Sequence, residues 1–177
     1  MDDVIVVGAG PAGCMAAIIV ARAGFRVRMF DRARFPRAKL CGDTINPGAY
    51  RTLARHLHAD RILRNARPID GMLLTGPGGI AVRGFYGSRE RRQILGFAIE
   101  RKAFDQRLLE AAVASGASLE DNCVIDEAVV EDAIVTGVRV RGTGTARTHR
   151  ARQDRAILER SAGAAHLRPT SQSGRRV

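Results

Sequence analysis

The order of apolar and polar positions divides the chain into strands and helices. Val4-Ile5-Val6-Val7 is a short β-prone run that enters a glycine turn, Gly8-x-Gly10-x-x-Gly13. An alanine-rich stretch from Pro11 to about Ala23 then predicts a helix, with Gly24 behind it. A second β-prone run, Arg26 to Phe30, ends at an acid, Asp31. From Arg32 to Ala49 the pattern is that of a loop, punctuated by Pro36, Gly42, Pro47 and Gly48. Asn46-Pro47 reads as an N-cap followed by proline in the first turn, so a short helix is expected from Pro47 to about His58.

The runs at 69–75 and 80–86, joined by Gly76-Pro77-Gly78-Gly79, predict a hairpin, and Ile94 to Ile99 predicts a further strand. Residues 101–115 place Phe104, Leu108, Ala111 and Ala112 at amphipathic helical spacing, with Gly116 placed to end the helix. Val124 to Val130 and Ile134 to Val140 predict an antiparallel pair. From about Thr143 the pattern fails. The tail has few large apolar residues and no strand run, and at most Ala151 to Arg160 forms a short helix. Its composition predicts a mobile segment.

The first of these patterns carries chemistry. Gly8 permits the tight turn out of the strand, Gly10 lets the backbone approach a pyrophosphate, and Gly13 lets the helix pack closely on the sheet. The helix beginning at Pro11 and Ala12 offers N–H groups and a partial positive charge to phosphates. Asp31 lies 18 residues beyond Gly13, where an acid can accept ribose hydroxyls. With 19 glycines in 177 residues such a spacing arises by chance, and an ordinary β-turn-α unit is the bland alternative. The position between a strand and a helix, ending at an acid on the next strand, favours the dinucleotide reading. The fingerprint alone does not choose between NAD and FAD. Asp31 suits an unphosphorylated ribose, and Arg32 could accept a 2′-phosphate.

Composition narrows the classes. The length suits one domain with a sizeable core, or one and a half small ones. No apolar stretch approaches the roughly 18 residues of a membrane span. Met1-Asp2-Asp3 lacks the basic leader of a secretory signal, so the chain is read as cytoplasmic. Cys14, Cys41 and Cys123 form no CxxC pair and fit neither a disulfide framework nor a zinc site, and no metal is expected at His56 or His58. The net charge of +11 is concentrated late: residues 146–177 hold eight arginines and two acids. Aromatic residues are scarce and not interleaved with the arginines, so no nucleic-acid partner is expected.

Three segments together resemble a known family. The loop Gly10-Pro11-Ala12-Gly13, the stretch F-P-R-A-K-L-C-G-D-T-I-N-P-G-A at 35–49, and I-E-R-K-A-F-D-Q-R-L-L-E-A-A at 99–112 are similar to the FAD-dependent oxidoreductases of the geranylgeranyl reductase and para-hydroxybenzoate hydroxylase superfamily. The Gly137-Val138-Arg139-Val140 strand also fits, and the match spans about residues 3–142. The resemblance implies FAD as cofactor and NAD(P)H as electron donor. It implies that the Gly8 to Gly13 loop holds the pyrophosphate, Asp31 the adenosine ribose, and Arg101 the FAD from the start of its helix. It places Cys41, Gly42 and Asp43 by the isoalloxazine or the substrate cavity, with Cys41 the candidate catalytic residue. Arg37 and Lys39 would offer charge to phosphates, with Arg32 beside them. The substrate is then a small molecule, isoprenoid or aromatic, and peripheral membrane contact is left open.

The expected fold class is α/β: a Rossmann-like FAD/NAD(P)-binding domain with a small inserted antiparallel β segment and a disordered basic C-terminal tail. Residues 1–68 and 100–145 would form the two parts of the FAD-binding domain, 69–99 the start of a substrate-domain insertion, and 146–177 an irregular tail that a frameshift would explain. The family continues with an Asp-Gly motif that closes on the flavin. No Asp-Gly pair follows Asp70-Gly71 here, so an N-terminal fragment is expected. A truncated inactive nucleotide-binding module, or an NAD-type Rossmann domain, is the alternative. Plainer roles stand beside the chemical ones. Cys41 can be a simple thiol, Cys14 a core residue and Cys123 a strand residue. Asp105 can pair locally with Arg101 or Lys102, and Arg89, Arg91 and Arg92 can be a solvated hairpin edge.

Overall fold

The computed structural model describes residues 1–41, 43–86, 96–141, 147–151, 156–158 and 168–169. In chain order the elements are β1 (Val4–Val7), α1 (Pro11–Arg22), β2 (Val27–Phe30), β3 (Thr44–Ile45), α2 (Pro47–His56), α3 (Ala59–Ile62), β4 (Arg67–Ile69), β5 (Gly71–Thr75), β6 (Ala81–Phe85) and β7 (Gly96–Ala98). Then follow α4 (Arg101–Ala114), β8 (Ser118–Glu120), β9 (Val124–Glu131), β10 (Ile134–Arg141), β11 (Arg147–Arg150), β12 (Ala156–Leu158) and β13 (Arg168–Pro169). Two compact units result, one of Met1–Arg37 with Asp105–Val177, the other of Ala38–Phe104.

The first unit contains a four-stranded parallel sheet in the order β12-β1-β2-β8. The apolar run of β1 makes it a central strand, with Val4, Ile5 and Val6 buried. α1 buries Gly13, Cys14, Ala17 and Ile18, one stripe at helical spacing, and packs on β1 and β2. A second sheet runs β11-β10-β9-β13. Phe30 and Ile5 meet Val138, Val140, Cys123 and Ala151 in one buried cluster, which joins the parallel sheet to the β9–β10 hairpin. The hairpin turn sets Asp132 and Ala133 both at positive φ (50° and 63°), as a tight two-residue turn requires. Gly137 is needed in β10 because a Cβ there would lie 2.3 Å from the His149 carbonyl oxygen of β11.

The second unit pairs β3 and β4 with β7 and carries the β5–β6 hairpin. Asn46 caps α2 as expected, its side chain accepting the Ala49 N–H at 2.9 Å. Ile45, Leu53, Ile62, Leu63, Ile99 and Phe104 are buried, and the Tyr50 and Phe97 rings lie 5.1 Å apart. Met72, Leu73, Leu74, Ile80 and Val82 of the hairpin region are exposed.

The α/β class read from the pattern holds, and so do the long elements. Two short segments of the tail differ from expectation. Arg147–Arg150 is a strand antiparallel to β10, and Ala156–Leu158 is a strand parallel to β1 rather than part of a short helix. Edge strands of three or four residues need no apolar alternation, because pairing with an existing sheet supplies their order. Cys123 lies in the turn between β8 and β9, not in a strand. Arg89, Arg91, Arg92, Ile94 and Gly42 lie outside the described residues.

β11 is fastened to the parallel sheet by charge. Asp2 Oδ2 accepts from Arg28 Nε at 2.8 Å and lies 2.6 Å from His149 Nε2, whose ring stands edge-on to Phe30. Burial works to raise the Asp2 pKa, but the hydrogen bonds and charges of Arg28 and His149 outweigh it and hold the carboxyl below its ordinary value of 3.8. A group lowered in this way stabilises the fold above that value, and its contribution is lost as pH falls through the folded-state pKa. Asp2→Asn is expected to lower unfolding free energy at neutral pH by about 1–2 kcal/mol after allowance for solvent screening. Urea melts should show the difference between variant and parent shrinking towards zero in strong acid; a difference independent of pH contradicts the assignment.

Candidate dinucleotide-binding site

The glycine loop leaves β1 with Gly8 at φ 104°, its N–H donating to the Phe30 carbonyl at 2.7 Å. That conformation excludes most other residues. Ala9 follows, fully buried. Gly10 is extended and forms the N-cap of α1, Pro11 takes the first helical position, and the Cys14 N–H closes the first turn on the Gly10 carbonyl at 2.9 Å. No side chain caps this helix, and no acid stands in its first turn. No carboxylate of its own first turn therefore opposes an external anion at its positive end.

Topology puts that end where a ligand is expected. β2 and β8 lie on one side of β1, and β12 lies on the other. In a doubly wound sheet the crevice opens beyond the carboxyl ends of the strands where the order reverses. Here that point is the end of β1, at Gly8 to Gly13.

Asp31 continues β2 beside the loop. Its Oδ2 accepts the Ala9 N–H at 2.8 Å and its Oδ1 accepts the Ala33 N–H at 2.8 Å. The residue is 7% exposed. A carboxylate has about four acceptor positions, so two remain for a vicinal diol. Its backbone is held as firmly: the Asp31 N–H donates to the Glu120 carbonyl and the Cys123 N–H to the Asp31 carbonyl, extending the β2–β8 pairing. Further along, the Phe35 N–H donates to Asp121 Oδ2 at 3.0 Å.

Arg37 reaches Asp31, and Asp105 reaches Arg37, though spacing alone connects neither to Asp31. Arg37 Nε lies 3.9 Å from Asp31 Oδ1, and Arg37 Nη1 lies 3.3 Å from Asp105 Oδ2. Asp105 is 1% exposed, and the guanidinium also lies 5.0 Å from the Phe35 ring centre. Sequence reasoning gave Arg37 to phosphates and Asp105 to its own helix turn. The structure directs the Arg37 charge at two carboxylates. The only advance signal was an arginine and an acid inside the two family-like segments. Nearby, burial first, then the Asp121 and Asp31 carboxylates, push up the Cys123 thiol, which therefore stays protonated.

The remaining candidates divide between the units. Pro11, Ala12, Gly13 and Arg32 belong with the loop, Ala12 and Arg32 exposed. Lys39, Cys41, Asp43 and Arg101 belong to the second unit. There the Asp43 carbonyl accepts the Ile99 N–H at 2.8 Å and β3 pairs with β7, so the segment after Cys41 is tied to the strand that leads into Arg101. Lys39, Cys41 and Asp43 are exposed. The described residues contain no cluster of His, Cys, Asp or Glu able to hold a metal.

The donors fit the adenosine diphosphate part of a dinucleotide: an uncapped helix start behind a glycine turn, and a fixed carboxylate with acceptor positions to spare. The double duty of Asp31 has a consequence for stability. Asp31→Ala strands the buried Ala9 N–H, so unfolding free energy should fall by about 1–3 kcal/mol without any nucleotide present. Chemical denaturation tests this; a change under about 0.5 kcal/mol means that the Ala9 bond contributes nothing.

Comparison with known proteins agrees with this geometry. The family model described as FAD binding domain matches residues 1–156. Menaquinone reductase of Mycobacterium tuberculosis is 38% identical over 117 residues, which cover 66% of this chain and 28% of the relative. Digeranylgeranylglycerophospholipid reductase 1 of Methanopyrus kandleri is 36% identical over 123 residues, 67% of this chain and 29% of that one. The chain thus spans less than a third of these curated relatives. Among solved structures, a geranylgeranyl bacteriochlorophyll reductase-like protein from Thermoplasma acidophilum superposes with a TM-score of 0.70 at 25% identity, covering 89% of this chain and 38% of that one. A myxobacterial FAD-dependent chondrochloren halogenase gives 0.74 at 25% identity, covering 85% and 35%. The resemblance read from the motifs is met by these relatives, and with a glycine turn at the reversal of a parallel sheet and the family match over residues 1–156, the chain belongs to the FAD-binding domain family.

Proposed function

We propose that this chain is the FAD-binding portion of a flavin-dependent oxidoreductase, one that reduces an isoprenoid-type double bond or activates oxygen for hydroxylation. The observation that carries it is the uncapped start of α1 at the reversal of the sheet order, with the Asp31 carboxylate beside it. Gly8, Gly10, Pro11, Ala12 and Gly13 would hold the pyrophosphate through backbone groups, and Asp31 the ribose. Arg32 would lie at the rim of that pocket. Lys39, Cys41, Gly42, Asp43 and Arg101 are the proposed contacts towards the flavin, with Cys41 the candidate for a direct role in the reaction. FAD, when bound, supplies the redox chemistry, and the protein binds and orients it.

The reductase branch is favoured over the monooxygenase branch. Two relatives are named menaquinone reductase and digeranylgeranylglycerophospholipid reductase 1, and the Cys41-Gly42-Asp43 segment points the same way. NAD(P)H is the proposed electron donor, and a small isoprenoid or aromatic molecule the proposed substrate. No helix among the described residues is long and apolar enough to cross a membrane. A cytoplasmic location with peripheral contact to a lipid surface would suit such a substrate.

A side chain at Gly10 would occupy the volume in which the backbone meets the pyrophosphate. FAD binding measured by flavin fluorescence is expected for the chain, with preference over NADH and NADPH. Gly10→Val should weaken it about a hundredfold or more, the loss of several hydrogen bonds to a charged group. Equal affinity in the variant, with circular dichroism unchanged, would make the loop a structural turn only, and preference for a nicotinamide nucleotide would overturn the choice of FAD.

A further inference from the structure

We propose that Arg37 and Asp105 are positioning residues for ribose recognition, acting through Asp31. The inference rests on the reading of Asp31 as the ribose acceptor and extends it to residues that touch no part of the nucleotide. Arg37 is gripped on three sides: Asp105 Oδ2 at 3.3 Å, Asp31 Oδ1 at 3.9 Å and the Phe35 ring at 5.0 Å. Its side chain is only 12% exposed, so the guanidinium is not available to a phosphate in solution. Asp105 opens no surface of its own and stands on α4, far along the chain from the glycine loop.

The physical effect is on one carboxylate. Asp31 Oδ2 is occupied by the Ala9 N–H, while Oδ1 carries the Ala33 N–H and faces Arg37. Two hydrogen bonds and a guanidinium charge 3.9 Å away hold the group in one orientation and leave the same two acceptor positions presented to the ligand. A preset acceptor costs no reorganisation when a diol arrives. Asp105 in turn keeps Arg37 from swinging out to water. The chain therefore reads a free 2′,3′-diol with a carboxylate whose orientation is set from α4.

The diagnostic quantity is the ratio of dissociation constants for 2′-deoxy-ADP and ADP, which isolates the diol from the phosphates. Calorimetric titration of the chain should give a ratio of about ten or more, as expected for one charge-assisted hydrogen bond. In Arg37→Met and Asp105→Asn the ratio should fall to about three or less, with 2′-deoxy-ADP affinity nearly unchanged, while Arg37→Lys should lie between the parent and Arg37→Met. Arg37→Lys and Asp105→Asn keep the test open if Arg37→Met does not fold. A parent-like ratio in the variants, with only the melting temperature lowered, makes this an ordinary structural ion pair and overturns the proposal. A ratio near one in the parent overturns it too, while leaving the phosphate site standing. No ADP binding by the folded parent instead removes the nucleotide reading itself.

Discussion

The hydrogen bond from the Ala9 N–H to the Asp31 carboxylate ties together everything that makes this a site. It joins the turn after β1 to the end of β2, two points that the parallel pairing of those strands already brings close. Ala9 is fully buried, so its N–H must find a partner, and an unsatisfied donor there would cost about 1–3 kcal/mol. The residue expected to meet the ribose is thus also a brace for the loop that meets the phosphates. Neither role is separable from the other by a simple deletion.

Charge in this protein acts chiefly through burial. The chain carries 29 basic residues, and several of its ion pairs lie on the surface. Arg150 and Glu131 make two hydrogen bonds, at 3.0 and 2.7 Å, yet both side chains are about half exposed, and such pairs contribute little. The pairs at Asp2 and at Arg37 differ because they are largely closed to water and connect segments distant in sequence. One fastens β11 to the parallel sheet, and the other sets a carboxylate beside the glycine loop.

Much of this was legible in the order of the residues. β1, the glycine turn, α1, β2 and Asp31 follow from apolar runs and glycine spacing, and α2, the β5–β6 hairpin, α4 and the β9–β10 pair follow from capping, turn residues and period. The elements that escaped are short. β3, β8 and β12 have two or three residues each, too few to show a period, and they owe their order to a neighbouring strand. The contact between Arg37 and Asp105 escaped for a related reason. Sequence offers each a plausible near partner, and only folding reveals that 68 positions of chain return one to the other. Cys41, Lys39 and Asp43 were legible as chemistry, and the fold places them on the segment bound to β7.

The relatives are more than three times as long as the matched region. On the proposed reading, FAD binds where the start of α1 meets Asp31. A nitrogen–proton correlation spectrum of the labelled chain, recorded during titration with FAD, tests that claim directly. The amides of Ala9, Gly10, Ala12, Gly13 and Ala33 should move most, together and saturably. Saturable shifts that leave these amides in place, or none at all with the fold intact, would contradict the account.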